Sequence, residues 1–422
     1  MWREQFMSLF DFDSDYFYWK VLVVAIIILK LISNRQTSPL NFYYNKRDRL
    51  MCQFLEQTKV TKFVYRPYWL AVTPFLQSLT YITVDELQKY WFPKKFDREL
   101  ITLEDGGTVG IDWAIDKDTG EGRPNPRAQK RKPILLLAPG LGGSSNNLYT
   151  IGLMHAARKS GYKVGTLLFR GTNGIPITSD KISFSGAWTD IKELIEYVHQ
   201  KYVLADGNAG RRCRLYAYGC SLGAQILTLY LRKEGRKACE VLDGACVYGT
   251  PWSTSKGSEF FYNNAFGLYQ KVIGLSLSEI IRKEQLPQLK EYLSEEDYAY
   301  YKHALENNWS GLDVLDEHLY CKMFGFASKQ EYYDAVSIAE HVTDIKVPTF
   351  ALDAKDDQLC GTEFFAPTKA VQGQESKVML ATTDFGAHVC HMQGHLIPKP
   401  WYTPVIMEWL QFMEAQNTFK KK

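Results

Sequence analysis

The chain lacks most of the signatures that reveal a function at a glance. Its eight cysteines are scattered, with no Cys-x-x-Cys pair and no short disulfide framework. That excludes a disulfide scaffold and predicts mostly free thiols in a reducing compartment. Charge is nearly balanced at a formal +3, so nothing argues for a nucleic-acid partner. No internal repeat is evident. The Gly-rich stretch Pro139-Gly140-Leu141-Gly142-Gly143-Ser144-Ser145 lacks the Lys-Ser/Thr ending of a P-loop, which argues against nucleotide binding. Cys390, His391 and His395 gather near His388 without a second ligand pair at zinc-like spacing, so they read as structural loop residues. No metal or organic cofactor is expected. The N-terminus has an apolar run, but no basic region precedes it and no small-x-small site clearly follows it, against a secretory signal peptide.

What is present centres on Gly219-Cys220-Ser221-Leu222-Gly223. An apolar run, residues 214–218, precedes it, and a helix-like run, residues 224–231, follows. Strand, Gly-x-Ser-x-Gly, helix is the layout of a nucleophile elbow. The turn is tight, so the residues flanking the serine must be small. A helix N-terminus beside the hydroxyl favours developing negative charge.

The partners follow in the order serine, acid, histidine. The run after Val347-Pro348 reads as a buried strand ending at Asp353-Ala354-Lys355-Asp356-Asp357. Another strand, residues 377–382, leads to Asp384-Phe385-Gly386-Ala387-His388. Ser221 would attack an acyl carbonyl, His388 would take and return its proton, and Asp357 would orient the imidazole. Asp356 is the rival acid, because spacing does not separate adjacent carboxylates. Asp353 sits inside the strand and is the weaker candidate. The oxyanion hole needs two backbone donors. Leu222 follows the nucleophile, and Leu141 lies in the Gly-rich loop after the strand at residues 133–137. Cys220 reads as a packing residue.

At 422 residues the chain can hold one large α/β domain with additions. We divide it into an N-terminal tail (1–15), an apolar segment (16–32), a membrane-proximal extension (33–98), a core in two parts (99–251 and 341–415), a helical insert (252–340) and a basic C-terminal tail (416–422). The segment at 16–32 is at the short end of the ~17–25 residues a spanning helix needs, with Lys20 and Lys30 able to snorkel and Tyr16, Tyr18 and Trp19 as an aromatic belt. A single-pass transmembrane anchor is the expectation. An interfacial helix, or a buried or cleaved segment, is the alternative. The upstream flank is acidic and the downstream flank carries Arg35, Lys46, Arg47 and Arg49, which puts the core on the cytosolic side by the positive-inside rule. The sequon Asn308-Trp309-Ser310 would be modified only on a lumenal domain.

The extension reads as aromatic and basic, either packed on the domain or irregular. Residues 99–113 read as a hairpin, and residues 117–132 as a surface loop. Strands then alternate with helices through Cys239 to Tyr248, which implies a mainly parallel sheet covered on both faces. The insert is rich in aromatics, including Phe260, Tyr262, Phe266, Tyr269 and Trp309. It reads either as a lid that binds an apolar acyl chain or as an ordinary helical cap with its own core.

With these residues placed, the chain resembles the membrane-anchored abhydrolase-domain branch of the α/β-hydrolase superfamily, which includes yeast medium-chain ethyl-ester synthases. It looks most like the abhydrolase domain-containing protein 3 group. The resemblance covers about Phe54 to the C-terminus. Asp105-Gly106-Gly107 with Asp112-Trp113, Pro139-Gly140-Leu141, Phe169-Arg170-Gly171, the elbow, Met323-Phe324-Gly325-Phe326 with Tyr332-Tyr333, Ala354-Lys355-Asp356-Asp357 and Gly386-Ala387-His388 carry it. It implies an α/β-hydrolase fold with Ser221, Asp357 and His388 as the triad, Asp357 being favoured as the second of the paired aspartates. It implies hydrolysis of phospholipid, acylglycerol or short- to medium-chain esters, or acyl transfer to an alcohol. A non-catalytic lipid-binding role is a third reading. An endomembrane such as the endoplasmic reticulum is the implied location, with the catalytic domain often on the non-cytosolic side, against the charge reading. Departures from the pattern are Gln358 for proline, Ala387 for glycine, and Cys390-His391 for Gly-Phe. Gln393 replaces the acid of a His-x4-Asp pattern linked to acyl transfer, which tilts the expectation to hydrolysis.

Overall fold

The computed structural model describes residues 17–91, 94–116, 120–125, 132–204, 213–307 and 311–419. The sequon and the N-terminal tail lie outside the described residues.

Runs of fully buried, β-branched or small residues form the centre of the fold, as expected of strands covered on both sides. The strands are β1 (Asn41–Tyr43), β2 (Phe96–Thr102), β3 (Thr108–Ala114), β4 (Ile134–Ala138), β5 (Lys163–Leu168), β6 (Leu215–Cys220), β7 (Gly244–Tyr248), β8 (Thr349–Ala354) and β9 (Val378–Thr383). They form one nine-stranded sheet in the order β1-β9-β8-β7-β6-β4-β5-β3-β2. Strands β9 to β5 in that order are parallel to one another. The hairpin of β2 and β3 and the short β1 add antiparallel edges.

Side-chain alternation along a strand sorts the core into two layers. On β4, Leu135 and Leu137 face one layer, with Leu153 of the helix Leu148–Lys159 and Val405 of the helix Tyr402–Phe419. Ile134 and Leu136 face the other layer, with Ile191 of the helix Trp188–Val198 and Ile226 of the helix Leu222–Glu234. The insert has a third core of its own, which includes Leu277, Leu289, Tyr301, Leu319 and Tyr332 and packs against Ile177 and Ile182.

The structure departs from the sequence reading, or decides between its alternatives, in three places. Cys239 begins no strand: Ala238–Val241 is a helical turn and β7 starts at Gly244, because a short apolar run does not distinguish the two states. The extension is ordered rather than irregular. It supplies β1 to the main sheet and the helices Arg49–Gln57 and Pro74–Trp91. The third difference concerns the anchor. Residues Phe17–Arg35 are helical, but among the described residues no helix is long and apolar enough to cross a membrane. This corrects the expected transmembrane segment. Lys20 and Lys30 bracket an apolar stretch at residues 21–29, about 14 Å of helix against a hydrocarbon core of about 30 Å. Its apolar side chains are exposed, among them Val21, Val23, Ile27, Ile28 and Leu31.

Candidate active site

Strand β6 ends at Cys220 and the helix Leu222–Glu234 begins at once, so Ser221 alone makes the turn. It holds φ 53° and ψ −119°, a strain of about 1–3 kcal/mol for a non-glycine residue. Its N–H donates to the Tyr248 carbonyl at 2.9 Å, which pins the turn to β7. The two elbow glycines are there for space. A Cβ on Gly219 would come within 2.6 Å of the Ala224 Cα, and one on Gly223 within 2.2 Å of the Ala138 carbonyl oxygen. The thiol of Cys220 is buried, and burial pushes its pKa up, so it stays an inert packing group.

The structure brings Ser221, His388 and Asp357 into one hydrogen-bonded line. Ser221 Oγ lies 2.7 Å from His388 Nε2, and His388 Nδ1 lies 2.8 Å from Asp357 Oδ2. The amides of Leu359 and Cys360 donate to Asp357 Oδ1 at 2.8 and 2.9 Å. Burial pushes the Asp357 carboxyl up, but the His388 imidazole and these amides outweigh it and hold its pKa below the ordinary value. For His388 burial pushes down, and the Asp357 charge and hydrogen bond outweigh it, so the pKa is raised. The carboxylate fixes the tautomer with hydrogen on Nδ1 and a lone pair on Nε2 facing the serine.

The rival acids have other partners. Asp356 Oδ1 accepts the Ala387 amide at 2.8 Å, and burial raises its pKa to about 7. Asp353 accepts from the Thr250 amide at 2.9 Å and from Trp252 Nε1 at 2.7 Å, and burial raises its pKa to about 7 as well. Both brace the loops around His388 without touching its ring. That loop is sharply bent, with Ala387 at φ 49° and Val389 at φ 54°.

The Gly-rich loop runs behind the serine. A Cβ on Gly140 would meet the Ser221 Cβ at 3.2 Å. The Gly140 amide donates to Tyr149 Oη at 2.9 Å and the Gly143 amide to the Gly140 carbonyl at 2.9 Å. Neither the Leu141 amide nor the first-turn amide of Leu222 is taken up by a hydrogen bond among the described residues, which leaves both free to face an oxyanion.

Sequence reasoning missed the residues that hold these loops. Tyr149 had no motif to reveal it. The helix Pro74–Trp91 reaches both sides of the site. Its Ser78 accepts from Gln358 Nε2 at 2.7 Å, and Gln358 Oε1 accepts the His388 amide at 3.2 Å. Its Asp85 accepts from Asn147 Nδ2 at 2.8 Å and from the Leu148 amide, just after the Gly-rich loop. Gln358 left a trace in the sequence as a departure from the family pattern, whereas Ser78 and Asp85 left none. A cavity beside the acid loop is lined by Phe75, Phe260, Tyr269, Asp356, Gln358 and Phe364.

Other motif residues turn out to be structural. Arg170 pairs with Asp190 at 2.7 Å and with Asp105 at 2.8 Å, and Trp113 Nε1 donates to Glu99 Oε2 at 2.7 Å. His391 is a loop residue, as expected, and a fully buried one. Its nitrogens face Tyr248 Oη at 2.8 Å and Thr383 Oγ1 at 2.7 Å, and burial lowers its pKa to about 3.

A nine-stranded, mainly parallel sheet with a serine at a strand-to-helix elbow defines an α/β-hydrolase. No family model matches the chain. Embryogenesis-associated protein EMB8 of Picea glauca is 27% identical over 341 residues, 78% of this chain and 69% of its own length. Phospholipase ABHD3 of Homo sapiens is 24% identical over 328 residues, 76% of this chain and 73% of its own. Medium-chain fatty acid ethyl ester synthase/esterase 2 of Saccharomyces cerevisiae is 25% identical over 404 residues, 82% of this chain and 85% of its own. The fold and these relatives together support an α/β-hydrolase of the abhydrolase-domain kind.

Proposed function

We propose that the protein is a serine hydrolase that cleaves carboxylic esters of lipids at a membrane surface. The observation that carries this is the line from Ser221 Oγ through His388 to Asp357, at 2.7 and 2.8 Å. Ser221 Oγ attacks the acyl carbonyl and its proton passes to His388 Nε2. The carbonyl oxygen becomes an oxyanion received by the Leu141 and Leu222 amides. The tetrahedral carbon then expels the alcohol, which takes the proton back from Nε2. Water repeats the sequence on the acyl-serine and releases the acid.

The aromatic side chains Phe75, Phe260, Tyr269 and Phe364, in a cavity beside the acid loop that also carries Lys355 and Glu363, support an apolar acyl group. The relatives' names, a phospholipase and a medium-chain ethyl ester synthase/esterase, point the same way. The exposed apolar helix Phe17–Arg35 supports attachment to a lipid surface rather than passage across it. The insert serves as the lid over the acyl site. Its exposed Phe266, Leu268 and Val272 fit that role. The yeast relative's double name also favours a second reading, in which an alcohol replaces water as the acyl acceptor.

The test is labelling of the membrane-embedded protein with a fluorophosphonate, with Ser221→Ala as control. Labelling that vanishes in the variant is expected, together with loss of medium-chain ester hydrolysis by about a thousandfold or more. Undiminished hydrolysis by Ser221→Ala would sink the proposal. The product ratio in the presence of an alcohol separates hydrolysis from acyl transfer.

A further inference from the structure

His388 has three side chains at its two nitrogens, and the catalytic reading uses two of them. The third is Cys360, whose Sγ lies 3.5 Å from His388 Nδ1. Asp357 and Cys360 stand three residues apart in one turn. The Cys360 amide donates to Asp357 Oδ1 and the Gly361 amide donates to the Asp357 carbonyl at 3.1 Å, so backbone bonds hold carboxylate and thiol on the same side. One ligand atom from each of Asp357, Cys360 and His388 lies within 4.8 Å of the other two. Cys360 is partly exposed as a residue, with its thiol turned inward toward the histidine.

Thiolate, imidazole and carboxylate are the ligand types of zinc, at about 2.3, 2.0 and 2.0–2.2 Å. At a tetrahedral angle the first two lengths put sulfur and nitrogen about 3.5 Å apart, which is the separation here. Nitrogen and carboxylate oxygen would be about 3.3 Å apart, so the Asp357 carboxylate needs to withdraw by only about half an ångström.

We propose that Asp357, Cys360 and His388 form an inhibitory site for a thiophilic divalent cation such as zinc. Binding rests on these three side chains alone, and its inhibitory effect rests on the serine-hydrolase reading above. The ion takes the lone pair of Nδ1, and the single ring proton moves to Nε2. The thiol gives its proton to solvent, so one proton leaves for each ion bound. No oxidation state changes. With hydrogen on Nε2, the ring has no lone pair for the Ser221 proton, and the general base is lost. The ion silences the serine without touching it.

The test uses the full chain in detergent. Ser221→Ala removes the nucleophile and keeps all three ligands. Titration with Co²⁺ is expected to give a thiolate-to-cobalt charge-transfer band that saturates at one ion per chain, and zinc is expected to bleach it. The band should be missing from Ser221→Ala/Cys360→Ala, which subtracts the other cysteines. In the protein with Ser221 intact, zinc should block fluorophosphonate labelling and a chelator should restore it. Cys360→Ala should need roughly tenfold more zinc, or more, for the same block. Should that variant fail to label in metal-free buffer, Cys360→Ser takes its place. A band that survives the loss of Cys360, or no band at all, overturns the proposal, as does zinc inhibition of equal strength without the thiol. Cobalt binding in a chain whose Ser221 never labels would leave the metal site standing and bring down the catalytic reading instead.

Discussion

The carboxyl edge of the sheet and the outer face of the N-terminal helices both depart from what a globular chain ordinarily does, in opposite ways. At the edge, Ser221, Ala387 and Val389 hold positive φ, and Asp353, Asp356, Asp357 and His388 sit close together with little water. Backbone amides and neighbouring side chains compensate nearly all of this, as buried charge demands. On the helices Phe17–Arg35 and Pro74–Trp91, apolar side chains such as Val23, Ile27, Leu79, Ile82 and Leu87 stand exposed. No described residue covers them. The first region is explained by contacts inside the molecule, and the second calls for a surface outside it. The helix Pro74–Trp91 joins the two. Its inner side bonds the acid loop through Ser78 and the segment after the Gly-rich loop through Asp85, while its outer side carries Leu79, Ile82 and Leu87.

The sharpest break within the first region comes from the paired aspartates. Asp357→Asn keeps the shape but removes the charge that sets the imidazole tautomer, and kcat should fall by about ten-thousandfold. Asp356→Asn keeps an acceptor for the Ala387 amide, and its Oδ2 has no partner to lose. Hydrolysis should stay within about threefold of the parent. Its stability should change with pH in a fixed direction. The Asp356 carboxyl is raised to about 7, so the stability it contributes is complete below its unfolded value near 3.9 and is lost as pH rises through about 7. The Tm of Asp356→Asn relative to the parent should therefore climb from pH 5 to pH 8. Equal losses of activity in the two variants would contradict the assignment of Asp357.

A second measurement reads the same line of groups. His388 acts as a base only when neutral, and its pKa is raised above the ordinary value near 6.5 because the Asp357 carboxylate outweighs burial. The logarithm of kcat/KM should fall with unit slope as pH drops through a midpoint above about 6.5. A midpoint at or below about 6 would argue against a carboxylate-paired imidazole.

The exposed face predicts a smaller, conditional effect. Leu79→Ser, Ile82→Ser and Leu87→Ser together remove apolar surface that is already in water. Hydrolysis of a soluble short-chain ester should change by less than about twofold. Binding to phospholipid vesicles, followed by co-sedimentation, should weaken by roughly a hundredfold, since each of the three side chains forfeits about 1 kcal/mol of partial burial. Vesicle binding at the parent level would mean that this face meets something other than lipid.

Much of the site was legible because its chemistry is local in sequence. The elbow needs Gly219 and Gly223 within two residues of Ser221, and each catalytic group follows a buried strand. What escaped was held by long-range pairing. Strand β1 is only three residues long, and its partner β9 lies more than three hundred residues away. Ser78 and Asp85 do their work through one or two contacts with distant loops, and Tyr149 through one with Gly140, and no spacing rule announces such contacts. The choice between Asp356 and Asp357 was likewise beyond spacing, because both leave the end of one strand and only the turn after β8 decides which reaches the ring. The N-terminal helix was read by its apolar count, while the lysines inside it limit the uninterrupted stretch.

The smallest effect concerns strain beside the histidine. Ala387 is 1% exposed and holds φ 49°, a conformation that costs an L-residue about 1–2 kcal/mol and glycine almost nothing. Ala387→Gly relieves that strain, loses one buried methyl worth about 0.8 kcal/mol and frees the unfolded chain by about 0.4–1 kcal/mol. These terms nearly cancel, so Tm should move by no more than about 2 °C. The catalytic distances depend on the Ala387 amide, which glycine also has, so kcat should stay within about twofold. A drop in kcat beyond tenfold with unchanged Tm would show that the alanine methyl itself positions His388, and the bend of this loop would then belong with the site's chemistry rather than its packing.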